Sequence, residues 1–330
     1  MAHLTSSFSG KFLKISVIIE LPMVSFIKGI ILMGMLGTLT AGCGRNLDLL
    51  KIVGKNIAYE SWHPVQPPPS KLRAFPRDNP GIHVGWVGHS TVLLSLYGTL
   101  ILTDPNFSHR IVIARRVVDL PIKPDEIKEL DFILVSHPHF DHLDVPSLKR
   151  LPKESSVIVP PGCEELIDGL GFSKVVEMKW GETFSANGLQ VEAFRPMHWG
   201  RRSPFEDEER GYNSYLITKN GKTILFAGDT GYSKIFEEKG RGRDIVIAFF
   251  PITAYKPDWF QQNHATPEDA LKMFLESGAK FMVPIHWGTF ILSHEPLEEP
   301  LQRLRAEAKR LGIEDRVVVL KQGESFTVPE

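Results

Sequence analysis

Ser136-His137-Pro138-His139-Phe140-Asp141-His142-Leu143-Asp144 is the stretch that decides the fold. Four metal-capable side chains, His137, His139, Asp141 and His142, crowd into it. The run follows Phe132-Ile133-Leu134-Val135, a short apolar segment that reads as a buried strand. A turn holding Pro138 then lets all four side chains converge, which neither a regular strand nor a helix allows. Imidazole nitrogen and carboxylate oxygen are the donors that zinc and iron accept.

The rest of such a site recurs at the ends of other apolar runs. Val191–Phe194 leads to Arg195-Pro196-Met197-His198-Trp199, and Ile224–Ala227 leads to Gly228-Asp229-Thr230-Gly231. Phe281-Met282-Val283 leads to Pro284-Ile285-His286-Trp287-Gly288. One such residue alone is a core histidine or a turn aspartate. Three of them beside the His-rich run make one metal site.

Around these signals the chain alternates strands with glycine turns, and helices come later. Ile82–Val87, Val92–Leu96 and Thr99–Thr103 read as an antiparallel meander. Asp144–Leu151 reads as a helix with Pro146 in its first turn. Val157–Val159, Val175–Met178, Leu189–Phe194, Tyr212–Ile217 and Thr223–Ala227 read as strands, and Thr266–Ser277 and Leu301–Leu311 as helices. Strands dominate the middle and helices lie outside them, which predicts two sheets packed face to face and flanked by helices. Residues 330 in number, 42% hydrophobic and 23% charged, support a real core. A net charge of −1 without a Lys/Arg stripe excludes nucleic acid as an expected partner.

The amino terminus reads as an address. Phe26–Thr38 is almost wholly apolar and ends in Leu39-Thr40-Ala41-Gly42-Cys43. That run is short and glycine-rich beside the roughly 20 apolar residues a spanning helix needs, and it fits a signal-peptide core. Cys43 after Ala-Gly resembles a bacterial lipobox, with Thr40 in place of the usual leucine. The resemblance implies a lipidated Cys43 as mature amino terminus. Met23-Val24-Ser25-Phe26-Ile27-Lys28 is a compact start for such a leader, so translation is expected to begin at Met23. Gly44 is not the Asp that retains lipoproteins at the inner membrane, which points to the periplasmic face of the outer membrane of a two-membrane cell. Pro64, Pro67-Pro68-Pro69, Pro76 and Pro80 then read as a stiff tether. The expected divisions are a leader over 1–42, a tether over 43–80 and a catalytic domain over 81–330.

His137-x-His139-x-Asp141-His142, with His198, Asp229 and His286, resembles the metallo-β-lactamase superfamily. The resemblance implies an α/β fold, the αββα sandwich of two mixed sheets flanked by helices. It also implies two zinc ions, one on His137, His139 and His198 and one on Asp141, His142 and His286, with Asp229 between them. Trp86-Val87-Gly88-His89-Ser90-Thr91, Thr103-Asp104-Pro105, Ala227-Gly228-Asp229-Thr230-Gly231-Tyr232 and Ile285-His286-Trp287-Gly288 resemble one branch, the N-acyl-phosphatidylethanolamine-hydrolysing phospholipase D family. So does Tyr255–Phe260 followed by His264, although Gln261-Gln262-Asn263 departs from that branch's pattern just before the histidine.

A phosphodiester attacked by a zinc-activated water needs its leaving oxygen protonated or metal-bound. His264 is therefore the expected acid or oxyanion donor, and Asp141 of the metal site is expected beside it as a catalytic residue. Asp104 reads either as a turn former or as a group that orients a ligand histidine, and His89 as structural support. Trp259 and Phe260 are expected to seat a phospholipid from a surface loop beginning at Tyr255. The leading expectation is a phospholipase D-type phosphodiesterase. Its rivals are a lactonase or other ester or amide hydrolase on the same metals, and a non-catalytic metal-binding surface lipoprotein.

Overall fold

A computed structural model describes residues 43–203, 206 and 209–329. The leader expected over residues 1–42 lies outside them. The first helix among the described residues, α1, spans Cys43–Trp62, and Asp48–Glu330 forms one compact unit. Strands β1 (Ile82–Gly88), β2 (Thr91–Leu96) and β3 (Thr99–Thr103) follow, then a small hairpin of β4 (Arg110–Ile111) and β5 (Ala114–Arg115). Next come β6 (Phe132–Leu134), α2 (Val145–Leu148), β7 (Ser156–Val159), β8 (Lys174–Glu177), β9 (Thr183–Ala186) and β10 (Leu189–Phe194). The chain continues with β11 (Ser214–Lys219), β12 (Lys222–Phe226), α3 (Ile235–Gly240), β13 (Ile245–Pro251) and α4 (Pro267–Glu276). It ends with β14 (Phe281–Ile285), α5 (Glu299–Leu311) and β15 (Ser325–Thr327).

The strands form two mixed sheets, in the orders β15-β1-β2-β3-β6-β7-β8 and β14-β13-β12-β11-β10-β9. The meander of β1, β2 and β3 is antiparallel as the sequence predicts, and β3, β6, β7 and β8 then run parallel. Val84, Trp86, Leu94 and Phe132 of the first sheet meet Tyr215, Ile224, Phe226 and Phe249 of the second in one buried layer. On the far side of the second sheet, Phe250 and Leu225 pack against Phe236, Leu271, Phe274 and Leu304 from α3, α4 and α5. A strand covered on both faces is apolar throughout rather than alternating, which is why Ile245–Phe250 is an unbroken hydrophobic run. The outer face of the first sheet is covered by Leu148 of α2 and by loop residues including Leu143, Leu151 and Ile167. The result is the αββα sandwich that the motif implies.

Helix α4 starts where its punctuation says it should. Thr266 caps it by accepting from Asp269 N, Asp269 reaches back to Thr266, and Pro267 opens the first turn. The helix expected over 144–151 is shorter. Asp144 caps Val145–Leu148 by accepting from Ser147 N.

The stretch 43–80 is not the free spacer its prolines suggest. Ile52 and Asn56, one helical turn apart, are buried, and Leu72 packs beneath β1. Asn56 Nδ2 donates to Ile291 O at 2.9 Å, and Lys55 Nζ donates to the carbonyls of Ser293, His294 and Glu295 at 3.2, 3.3 and 2.6 Å. The prolines follow the helix, and the extended segment around Leu72 hydrogen-bonds to Pro121 O. Trp62 is 83% exposed, whereas Phe75 packs on the core.

The topology delivers every site signal to one edge. The loop after β6 carries His137, His139, Asp141 and His142, and the segment after β10 carries His198. Asp229 follows β12 and His286 follows β14. Gly228 lies at φ +62°, and a Cβ there would sit 2.6 Å from Ser136 Cβ, so the Asp229 turn has no room for a side chain. Gly228→Ala is therefore expected to lower stability by about 2–4 kcal/mol, read as a drop in urea midpoint. An unchanged midpoint contradicts this packing.

Candidate metal centre

Four of the five candidate ligand histidines are held by one ring nitrogen and leave the other for the centre. His142 Nδ1 lies 2.6 Å from Asp104 Oδ2, and His137 Nδ1 lies 2.9 Å from Ser136 Oγ. His198 Nδ1 lies 3.0 Å from Asn263 O, and His286 Nδ1 lies 2.8 Å from Thr253 Oγ1. Thr253 Oγ1 donates its own proton to His286 O at 2.7 Å, so the hydroxyl accepts from the ring and fixes the tautomer. The nitrogens left over, Nε2 of His137, His142 and His286, are buried and make no well-aligned hydrogen bond, and neither does Asp229 Oδ1. Buried polar atoms are almost always satisfied. A cluster of unsatisfied lone pairs aimed at one place fits a cation.

Two groups stand side by side. His137, His139 and His198 offer nitrogens within 4.8 Å of one another, and so do His89, Asp141, His142 and His286 with a carboxylate oxygen. Asp229 joins them. Its Oδ2 is 3.3 Å from His142 Nε2 and 3.1 Å from His286 Nε2, and the residue also groups with His198 and His264. His264 Nδ1 stands 3.6 Å from Asp229 Oδ2, buried and unpartnered. His89 Nε2 meets Asp141 Oδ2 at 3.0 Å and orients that carboxylate.

The electrostatics point the same way. Burial and crowding by neighbouring imidazoles hold His137 and His198 well below the ordinary histidine value, and burial takes His139 to about 4. These rings are neutral, as ligands must be. Burial also opposes charge on His142 and His286, but Asp229 and Asp141 outweigh it, raising His142 strongly and His286 to about 9. The same pairs hold Asp141 and Asp229 well below the usual carboxylate range despite burial. Beside Asp141 and Asp229 the protein therefore stabilises positive charge, which a proton or a metal ion supplies.

Of the two readings of Asp104, the orienting one is correct. It accepts from Ser136 N, Ser136 Oγ and His142 Nδ1, each at 2.6 Å. The expected lipid loop is placed differently. Tyr255 is buried, with its hydroxyl on Glu299 at 3.0 Å and Arg303 over its ring. Trp259 donates to Asp48 of α1 at 3.3 Å, and the Phe260 ring lies 6.2 Å from that of His264. Trp259 and Phe260 thus prop His264 and α1. They do not line the cavity of about 550 Å³ that opens on His139 and Asp141. Sequence reasoning passed over Thr253 and Ser136, whose only signal is a hydroxyl beside a histidine or a strand end. It also passed over Arg202, which donates to Pro138 O and, at 2.9 Å, to Leu143 O across the His-rich loop.

Fold and site together define a metal-dependent hydrolase with a metallo-β-lactamase sandwich. A beta-lactamase superfamily domain matches residues 99–287, and the chain belongs to that superfamily. It is 35% identical over 257 residues to the mitochondrial N-acyl-phosphatidylethanolamine-hydrolyzing phospholipase D of Saccharomyces cerevisiae, covering 73% of this chain and 54% of the yeast protein. The chain thus spans about half the length of that relative. It is 30% identical to N-acyl-phosphatidylethanolamine-hydrolyzing phospholipase D 1 of Caenorhabditis elegans, covering 68% of this chain and 69% of the other. A metal-dependent hydrolase of Methanopyrus kandleri is 26% identical over 74% of this chain and 99% of its own. Among solved structures, a possible metal-dependent hydrolase from Veillonella parvula superposes with a TM-score of 0.62 at 19% identity, over 76% of this chain and all of that one.

Asp104→Asn removes the carboxylate that His142 leans on. Outer partners of this kind are worth roughly 10–100-fold in metal affinity. The variant is expected to lose its metal at correspondingly lower chelator concentration, and an unchanged chelator titration contradicts the role given to Asp104.

Proposed function

We propose that this hydrolase is a dinuclear zinc phosphodiesterase that cleaves N-acyl-phosphatidylethanolamine-like phospholipids in the manner of a phospholipase D. The observation that carries the proposal is the sharing of Asp229 between two imidazole groups, beside a largely apolar cavity, in a chain related to two enzymes named for that reaction. His137, His139 and His198 would hold one zinc, Asp141, His142 and His286 the other, and Asp229 both. Bound there, the ions supply Lewis acidity and a water that ionises near neutral pH.

The protein's own groups do the rest. His89 keeps Asp141 turned toward the centre, and Asp104 and Thr253 keep His142 and His286 in one tautomer. His264 directs Nδ1 toward the same space as Asp229. In the proposed reaction a water oxygen bonds to phosphorus while the bond from phosphorus to the head-group oxygen breaks. The head group leaves as an alcohol, with its proton positioned at His264 Nδ1.

The same proposal places the enzyme in a bacterial envelope, anchored through a diacylated Cys43 on the periplasmic face of the outer membrane. A single chain binds membranes only reversibly, so stable attachment needs more than one. Fatty-acid labelling of the wild type, lost in Cys43→Ser, is the expected outcome, and an unlabelled wild type contradicts it.

The activity is tested by incubating zinc-loaded protein with mixed bacterial phospholipids containing N-acyl-phosphatidylethanolamine and profiling the products. Release of N-acylethanolamine with phosphatidate, abolished by a chelator, is expected. Turnover of lactones without cleavage of any phosphodiester contradicts the proposal. His264→Ala is expected to keep its zinc while kcat falls by about 100- to 10,000-fold, and wild-type turnover in that variant removes His264 from the mechanism.

A further inference from the structure

We infer that α1, which precedes the superfamily domain, is a wall of the substrate site, and that Ile52 sets the length of hydrocarbon chain the enzyme accepts. The inference builds on the lipid reading above but adds a specificity residue to it from outside residues 99–287.

The cavity of about 550 Å³ has a divided lining. His139, Asp141, Arg201 and Arg202 supply its polar part. Ile52 of α1, Ile111 of β4, and Ile291 and Leu292 from the segment after His286 supply much of the apolar part. A pocket of this size and makeup suits a ligand that is mostly hydrocarbon and carries one polar end. Arg201, which makes no ion pair among the described residues, suits an anionic end. Asn56 also lines the cavity, but its Nδ2 is spent on Ile52 O and Ile291 O at 3.0 and 2.9 Å. Its amide therefore fastens the helix to the opposite wall.

The helix is fixed in place. Besides Asn56, the three carbonyls held by Lys55 and the contact of His294 Nε2 with Asp48 O, at 2.8 Å, bind α1 to the segment that leaves His286. Ile52 is only 8% exposed, so its side chain occupies volume that a chain would otherwise use. At the rim, Val112 and Phe140 are 47% and 43% exposed. Val112 holds φ +49° in the two-residue turn between β4 and β5, a conformation that β-branched residues avoid. The hairpin thus keeps an apolar side chain in the open beside the cavity, as an amphiphile entering with its chain would require.

The test uses the full zinc-loaded chain and n-alkyl phosphonates of increasing length, titrated by calorimetry. In the wild type, affinity should rise about fourfold per methylene until the slot is full, then level off. Ile52→Ala should move the plateau to longer chains and Ile52→Phe to shorter ones, with zinc content unchanged. Ile52→Val, too small a change to unfold the helix, should move it in the same direction as Ile52→Ala. One plateau shared by all four proteins overturns the role of Ile52, and a flat series in the wild type overturns the slot. Failure of the phosphodiesterase reading is visible separately. In that case the chain-length series remains intact while the wild type cleaves no long-chain phosphodiester.

Discussion

A buried carboxylate surrounded by imidazoles is the constraint on which the rest of the structure depends. Asp229 is almost wholly enclosed, with His142 and His286 nitrogens 3.3 and 3.1 Å from one of its oxygens. A carboxylate taken out of water without a compensating charge is strongly destabilising. The fold meets that cost by bringing the ends of β6, β10, β12 and β14 to the same edge, so that positive charge always stands beside Asp229. Without metal the charge is a proton on His142 or His286. In the proposed metal-loaded enzyme the same nitrogens would hold the metal in place of those protons, so that metal binding and local stability would be one equilibrium.

Holding that edge open requires unusual backbone. His89, Asp104 and His286 are non-glycine residues at φ +53°, +34° and +71°. Each sits where a strand hands its chain to the site, and each has a hydrogen bond that keeps it there: His89 to Asp141, Asp104 to Ser136, and His286 to Thr253. Left-handed backbone at such residues costs on the order of 1–3 kcal/mol apiece. The buried sandwich beneath, with Trp86 stacked on Trp287 at 5.0 Å and the Tyr215 hydroxyl donating to Val135 O, supplies the rigidity that holds it.

Much of this was legible before any coordinates. Ligand type and position follow strand ends, and a strand end is a local signal: an apolar run, a turn residue, then His or Asp. Asp229 and His286 were readable for that reason, and His264 because Tyr255–Phe260 followed by a histidine resembles the phospholipase D branch. Thr253 and Ser136 were not, since which hydroxyl meets which ring nitrogen is settled only when two distant strands meet. Tyr255 lies in a loop as read but was misread as a surface residue because Lys256, Pro257 and Asp258 follow it. Its burial depends on Glu299 and Arg303, more than forty positions away. Helix α1 was hidden by the prolines that follow it. Its buried face is narrow, Ile52 and Asn56, and an asparagine there carries no hydrophobic signal although its amide is what joins the helix to Ile291.

The most direct measurement is anomalous diffraction at the zinc edge from crystals of the purified protein. The account predicts two peaks per chain, one among His137, His139 and His198 and one among Asp141, His142 and His286, with Asp229 between them. A single peak, or peaks that leave Asp229 outside both coordination spheres, would contradict it.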